Sequence, residues 1–344
     1  MTTTPTGTQA PAATDPEFDD AVSRYRRELL AHCYRMTGSP SEAEDLVQEV
    51  YLRAWRAYGS FEGRSSLRTW LHRIATNVCL TALEGKDRRP LPSGLGTSSS
   101  EGGDPLDERT EVPWLGPMPD AQLLGTADPA DVVTERDAVR LAFVAALQHL
   151  PPRQRAVLVL REVLRWSAAE VAEATGSTVA SVNSALQRAR ATIEEVAPSA
   201  DAAPAPMTDE QRALLDRYVD AFWRKDVDAI AKLFTEDAVW EMPPFAGWYQ
   251  GPRTIATLVD TQCPGGCYDM PMLATTCNGQ PAFGLYMREE GPDGDVFRPF
   301  QLQVLELDGD HVSHAVVFFD TEYFTAAGLP AELGVDDVPT RPEG

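Results

Sequence analysis

Lysine is almost missing from this chain: only 3 of its 30 basic residues are lysine, and 52 acidic residues set a formal net charge of −22 over 344 residues. The arginine bias points to a GC-rich genome rather than to a function. Long apolar runs are missing too. No stretch approaches the roughly 20 apolar residues of a membrane span, and the polar N-terminus lacks a signal-peptide core. A cytoplasmic protein with no membrane partner is therefore expected. Cysteine is sparse and odd in number, at 33, 79, 263, 267 and 277. Without an export signal, reduced thiols follow. Cys263 and Cys267 are close in sequence, but the other ligands of a zinc site are not evident. No metal and no cofactor is expected.

The acidity seems to exclude nucleic acid until it is counted by segment. Residues 17–89 hold 12 basic and 11 acidic groups, and within them 64–89 hold 6 against 2. Residues 132–197 hold 8 and 7, whereas 90–131 hold 1 and 8 and 207–344 hold 9 and 24. Two nearly neutral segments thus keep local basic surface for phosphates, and the acid lies elsewhere. Composition divides the chain further. Residues 1–16, rich in Thr, Pro and Ala, read as disordered. Helical patterns fill 17–89 and 132–197. The Pro-, Gly- and Ser-rich segment 90–131 reads as an acidic flexible linker, and 198–206 as an Ala/Pro linker. Helices, then strand-like runs at 238–242, 282–289, 297–307 and 312–320, predict an α+β domain over 207–330, with a tail at 331–344.

Between Ser41 and Asn77 two helices flank a Gly63-Arg64-Ser65-Ser66 loop. Ser41 and Glu44 stand at capping-box spacing. Leu46, Val47, Val50, Ala54, Trp55 and Tyr58 recur at helical spacing and define a buried stripe, and Asp45, Gln48 and Glu49 fall on the opposite face. Such charges are usually just a solvated helix face. Trp70, Leu71 and Ile74 begin the apolar stripe of the next helix, whose polar positions include Arg68, Arg73 and Asn77; Lys86, Arg88 and Arg89 form a basic end. This order of residues closely resembles the promoter- and polymerase-binding region of extracytoplasmic-function sigma factors, of the sigma-70 family. The resemblance implies that Asp45, Gln48 and Glu49 dock on core RNA polymerase. It implies that Gly63, Arg64, Ser65, Ser66, Arg68, Arg73, Asn77, Lys86, Arg88 and Arg89 serve the downstream promoter element and its melting, where a flipped base is captured.

From Leu150 to Ile193 a helix opened by prolines, a second helix with Ser167 and Glu170 at capping-box spacing, a turn at Gly176 and a third helix with Val179, Val182, Leu186 and Ala189 inside follow helix-turn-helix order. A plain three-helix bundle would read the same. Placed behind the first module, the segment resembles the sigma-factor region that reads the upstream promoter element. That implies base or backbone contact by Ser181, Asn183, Ser184, Gln187 and Arg188. Asn183 and Ala185 stand where such factors commonly have Lys and Arg, a loss of phosphate-facing charge.

The segment opening with Tyr218 to Met242 resembles SnoaL-like domains, whose cone-shaped fold curls a sheet around a pocket. Tyr218, Trp240, Met242, Phe245, Trp248, Tyr286, Gln301 and Phe318 are the candidate lining, or merely core. Ketosteroid isomerases share this fold. Against their pattern Tyr218 meets the oxyanion-hole tyrosine, Met242 the Asp base, and Gln301 the neutral carboxylic acid. Methionine abstracts no proton. Glu241 points to the other face of its strand, and Asp320 and His314 are the remaining substitutes. The expectation is a multidomain protein with two all-α modules and a C-terminal α+β domain. It is a sigma factor binding core RNA polymerase and promoter DNA, with a regulatory domain open to a small-molecule ligand, and not an enzyme. The alternatives are a SnoaL-like isomerase or cyclase with a DNA-binding appendage, and a one-component repressor.

Overall fold

The computed structural model describes residues 16–97, 99–123, 139–196, 207–291 and 294–338. The expected disordered segment up to 15 and the Ala/Pro linker lie outside them. Four helices open the chain: α1 (Pro16–Ser23), α2 (Arg26–Thr37), α3 (Pro40–Tyr58) and α4 (Leu67–Ala82). The cap of α3 stands two residues before the expected Ser41. Pro40 takes the first helical position, where a missing N–H is harmless, and Ser39 caps by accepting from the Glu42 amide at 3.3 Å. The predicted stripe is buried at Val47, Val50 and Ala54, and Trp70 and Leu71 join it from α4.

The segment 90–131 departs from its reading as a flexible linker. Its described part, 90–97 and 99–123, lies against folded domains along much of its length, and Leu91, Leu115, Met118 and Leu123 are buried in the same apolar cluster as α2–α4. It ends in the short α5 (Asp120–Leu123). Glu101, Asp104, Asp107, Glu108 and Glu111 are exposed while Asp120 and these isolated apolar points are drawn inward, so composition alone misled. Next come α6 (Leu141–Leu147), α7 (Pro152–Leu158), α8 (Ala168–Ala174) and α9 (Val179–Val196), with their own core. The Ser167–Glu170 capping box forms as predicted, and Gly176 has φ +61°.

The C-terminal part runs α10 (Asp209–Arg224), α11 (Val227–Ala231), β1 (Phe234–Glu241), β2 (Trp248–Gln250), α12 (Pro252–Gln262), β3 (Met272–Cys277), β4 (Gln280–Gly291), β5 (Gly294–Asp308), β6 (His311–Phe318), α13 (Glu322–Ala326) and β7 (Leu333–Gly334). The sheet order is β2-β1-β6-β5-β4-β3, with β7 on β5. From β3 to β6 the strands form the expected antiparallel meander, whereas β1 joins β6 in parallel. Leu333 of the expected tail pairs with Phe297, so part of that tail belongs to the sheet.

This sheet is apolar on both faces, with a two-residue alternation. Phe283, Leu285, Leu305, Ala315 and Val317 face α10–α12, and Ala282, Val304, Val316 and Phe318 join the cluster of the first helical module. Tyr286 follows Ala282 to the outer cluster by the same alternation, and the register shift of this pair lies in β5, where Phe300 is the extra residue between Pro299 and Gln301. Among the described residues no helix is long and apolar enough to cross a membrane.

Inside the first module His32 and His72 are buried edge to face, ring centroids 5.6 Å apart. Burial pushes both below the ordinary histidine value of 6.5, His72 to about 4. The unfolded chain therefore takes up these protons first, and stability falls as pH drops from about 6.5 towards 4. Tm measured at pH 7 and pH 5, above most carboxylate titrations, should show the loss. Replacing His72 with Asn should flatten it; an equal slope in the variant counts against the pair.

Candidate functional site

On α3, Asp45 and Gln48 are exposed, and Glu49 is half-buried and paired with Arg53 at 2.6 Å. Leu52, 49% exposed, adds an apolar point to the same face one turn on. Asp45, Gln48 and Glu49 thus share a surface, as the spacing predicted. The loop before α4 is open: Gly63 has φ +70°, and among the described residues Arg64 pairs with neighbouring Glu62 at 2.5 Å. Ser66 is also the N-cap of α4, accepting from the Thr69 amide at 3.1 Å, so Ser65 is the freer hydroxyl.

Most other cations of this module are already paired. Arg68 meets Glu28 at 2.5 Å. Lys86 and Arg89 share Glu42, at 2.8 and 3.0 Å. Burial opposes ionisation of Glu42, but both cations outweigh it and hold the carboxyl below its usual value. Arg88 contacts His149 at 2.9 Å. Farther along α4, Arg73 pairs with Glu173 of α8 at 3.1 Å, and the Asn77 amide donates to the Ala174 carbonyl at 3.3 Å. The predicted promoter-melting helix is therefore turned against the helix-turn-helix.

Arg155 of α7 binds the two modules from inside. It is buried, donates to the Met36 carbonyl of α2, and reaches Gln148 Oε1 at 2.8 Å and the Leu150 carbonyl at 3.1 Å. Burial lowers its pKa to about 10, so it stays charged at neutral pH. Helix α9 points the other way. Ser181, Asn183, Ser184, Gln187 and Arg188 are exposed together, opposite buried Val182, Ala185, Leu186 and Ala189. Ala185 is part of the core, so the missing charge there reflects packing.

The C-terminal domain encloses a cavity of about 290 Å³ between the sheet and α10–α12, walled mainly by Phe222, Trp240, Met242, Phe245, Phe300 and Phe319, with Gln301, Gln262 and Cys263 as polar edges. Of the eight predicted lining residues, Trp240, Met242, Phe245 and Gln301 are there. Tyr218 is buried beside them and donates to Gln303 Oε1 at 2.7 Å. Burial raises the Tyr218 pKa, so the hydroxyl stays neutral. Tyr286 and Phe318 sit on the outer face of the sheet, and Trp248 lines a different cleft, donating from Nε1 to the Thr97 carbonyl at 3.0 Å. The two-residue period of their strands accounts for these three displacements.

Glu241 also faces that outer cleft, as the strand period predicted. It is 1% exposed, accepts from His314 Nε2 at 2.8 Å and from the Ser93 amide at 2.7 Å. Burial alone would depress His314, but Glu241 and then Glu306 hold its pKa above the ordinary value. Neither side chain, nor Asp320, lines the cavity. Among the described residues no cluster of His, Cys, Asp and Glu is arranged to hold a metal.

Residues 21–89 match the Sigma-70 region 2 family, residues 140–193 the Sigma-70 region 4 family, and residues 215–298 the SnoaL-like domain. The ECF RNA polymerase sigma factor SigG of Mycobacterium tuberculosis is 57% identical over 319 residues, covering 92% of this chain and 85% of its own. This chain belongs to the ECF sigma factors. The RNA polymerase sigma-H factor of Pseudomonas aeruginosa is 31% identical over 180 residues, 52% of this chain and 84% of its own, without counterpart for the rest. The crystal structure of Mycobacterium tuberculosis extracytoplasmic function sigma factor SigJ superposes with a TM-score of 0.58 at 22% identity, over 90% of this chain and all of that one, and shares the fold.

This sigma factor directs promoter recognition and transcription initiation, and its C-terminal SnoaL-like domain is built against both sigma regions. The junction escaped sequence reasoning. Asn278, in the turn between β3 and β4, donates to Tyr34 Oη at 2.8 Å and to the Val139 carbonyl at 2.6 Å, and accepts from the Met118 amide at 2.8 Å. An Asn-Gly pair after a strand was the available signal, and it reads only as a hairpin turn. Replacing Asn278 with Ala strands several buried polar groups, each worth about 1–3 kcal/mol. The variant should lose roughly 3 kcal/mol or more in thermal denaturation and expand in small-angle scattering. A variant as stable and compact as the parent would refute the junction.

Proposed function

We propose that this ECF sigma factor rests in a closed arrangement in which the SnoaL-like domain restrains the two promoter-reading regions. The contact of Arg73 and Asn77 with Glu173 and Ala174 carries this reading, because it covers part of the surface proposed to meet melting DNA. Engaging a promoter then requires α4 and α8 to separate. The Asn278 turn and the buried Arg155 oppose that separation, and an exposed pair such as Arg73–Glu173 contributes at most about 1 kcal/mol. The domain therefore acts as an inhibitory clasp on the sigma regions.

In the open state Asp45, Gln48 and Glu49 dock on core polymerase, and Leu52 supplies an apolar anchor on the same face. Gly63, Arg64 and Ser65 hold the flipped base; Arg68, Arg73 and Asn77 follow the strand, and Lys86, Arg88 and Arg89 meet phosphates once released from Glu42 and His149. Asn183, Gln187 and Arg188 read base edges of the upstream element, with Ser181 and Ser184 beside them. The SnoaL-like domain does not catalyse: Met242 occupies the base position, and no carboxylate or histidine lines its cavity. A neutral small molecule is the ligand such a cavity suits.

Alanine at Asp45, Gln48 and Glu49 together should abolish capture of core polymerase with little change in Tm, since such surface changes stay within about 0.5 kcal/mol each. Undiminished capture would remove these residues from the polymerase face. Truncation after Pro198 should raise run-off transcription from a mapped promoter, and Glu173→Ala in the full chain should raise it by a smaller factor, up to about fivefold. Unchanged transcript from both would sink the clasp.

A further inference from the structure

The cavity of the SnoaL-like domain is not closed by that domain alone. Residues 99–109, from the segment between the two sigma regions, run across its mouth. The strap is tied along its length: the Ser100 amide donates to the Trp248 carbonyl at 2.7 Å, Thr261 Oγ1 to the Gly102 carbonyl at 2.8 Å, and Gln262 Nε2 to the Asp104 carbonyl at 3.3 Å. The Ala246 amide donates to the Asp107 carbonyl at 2.8 Å, and the Arg109 amide to the Pro244 carbonyl at 2.9 Å. Gly102 lies so close to α12 that a Cβ there would stand 2.6 Å from the Thr254 carbonyl oxygen. Between these ties Leu106 enters the cavity wall. The same stretch of chain continues to Gly116 and Met118, which are bound by Tyr34 and Asn278 at the junction.

The lining restricts what can enter. No charged side chain is in it, so an ionised ligand would lose its hydration without a counter-charge. Its walls are aromatic rings and Met242. A cavity of about 150 Å³ accepts a benzene ring, so about 290 Å³ matches about two fused rings. One polar side chain in the lining is unspent among the described residues. The Gln301 amide, 6% exposed, makes no side-chain hydrogen bond among the described residues. It can donate to one ligand oxygen.

We infer that the cavity binds a neutral, flat, two-ring molecule bearing one carbonyl or hydroxyl oxygen, held by Gln301 between the aromatic walls and sensed by Leu106 of the 99–109 strap. The inference rests on the clasp reading for its consequence, because the strap leads directly into the junction that holds the sigma regions together. Ligand packing against Leu106 tightens the strap on α12 and so stabilises the closed arrangement.

Three probes test it on the full chain at neutral pH by isothermal titration: 2-naphthol, naphthalene and 2-naphthoate. The expected order is 2-naphthol tightest, naphthalene weaker and the charged 2-naphthoate weakest. Gln301→Leu should weaken 2-naphthol alone, roughly threefold to tenfold, as loss of one hydrogen bond implies. Phe245→Trp, which fills the cavity without touching Gln301, should weaken both neutral probes. Amide exchange in 99–109 should slow on adding 2-naphthol. Binding of none of the probes, 2-naphthoate matching 2-naphthol, or unaltered exchange in the strap would each overturn the inference. If probe binding fails while truncation after Pro198 still raises transcription, the clasp stands without a ligand. If the probes bind and slow the strap while truncation leaves transcription unchanged, the site stands and the clasp falls.

Discussion

A single buried asparagine holds the three parts of this sigma factor in register. Asn278 is fully buried and adopts φ +57°, a left-handed conformation that asparagine tolerates better than most residues. Its backbone N–H donates to the Met118 carbonyl at 2.8 Å, and its side chain reaches Met118, Val139 and Tyr34. Tyr34 passes the chain on by donating to the Gly116 carbonyl at 2.9 Å. One turn of the SnoaL-like domain thereby fixes sigma region 2, the inter-region segment and the entry to region 4. Next to it the Gly279 amide donates to Asp120 Oδ1, and Gln280 Oε1 accepts from the Leu141 amide. Because these groups are buried, each is costly to leave unpaired, which gives the junction its rigidity.

The two-faced sheet follows from the same constraint. A SnoaL-like sheet needs one apolar face for its own pocket. Here the outer face is apolar as well, and the helices of region 2 and the inter-region segment cover it. The acidic domain meets the sigma regions through a few local ion pairs rather than through its net charge. Arg140 of the region 4 entry pairs with Glu306 at 2.5 Å, and the Glu241–His314 pair receives the Ser93 amide. With so much charge on the domain, closed packing is maintained by matched pairs and apolar burial, and the surplus carboxylates remain in water.

Much of the architecture was legible in local pattern. The stripe Val47, Val50, Ala54 and the capping box at Ser167 are consequences of helical periodicity and orphan N–H groups, which act over a few residues. The polar face of α9 was legible for the same reason. Half of the predicted lining residues do line the cavity: Trp240 and Met242 alternate with Glu241, so a two-residue period places them together. Tyr286 and Phe318 were misassigned because both faces of the sheet are apolar. Hydrophobicity then no longer says which side is which.

The resemblance to ECF sigma factors and SnoaL-like domains was legible in the chain, because the residue runs that carry it are local and linear. By itself the sequence also determined which side chains stand on the outer faces of α3 and α9. Only the tertiary structure decided that the acidic inter-region segment is a strap, that Leu106 walls a cavity 116 residues before Phe222, and that Arg73 and Asn77 turn toward region 4. These relations join residues far apart in the chain. They arise from burial of isolated apolar points and from exact pairing of buried polar groups, neither of which leaves a periodic trace in the sequence.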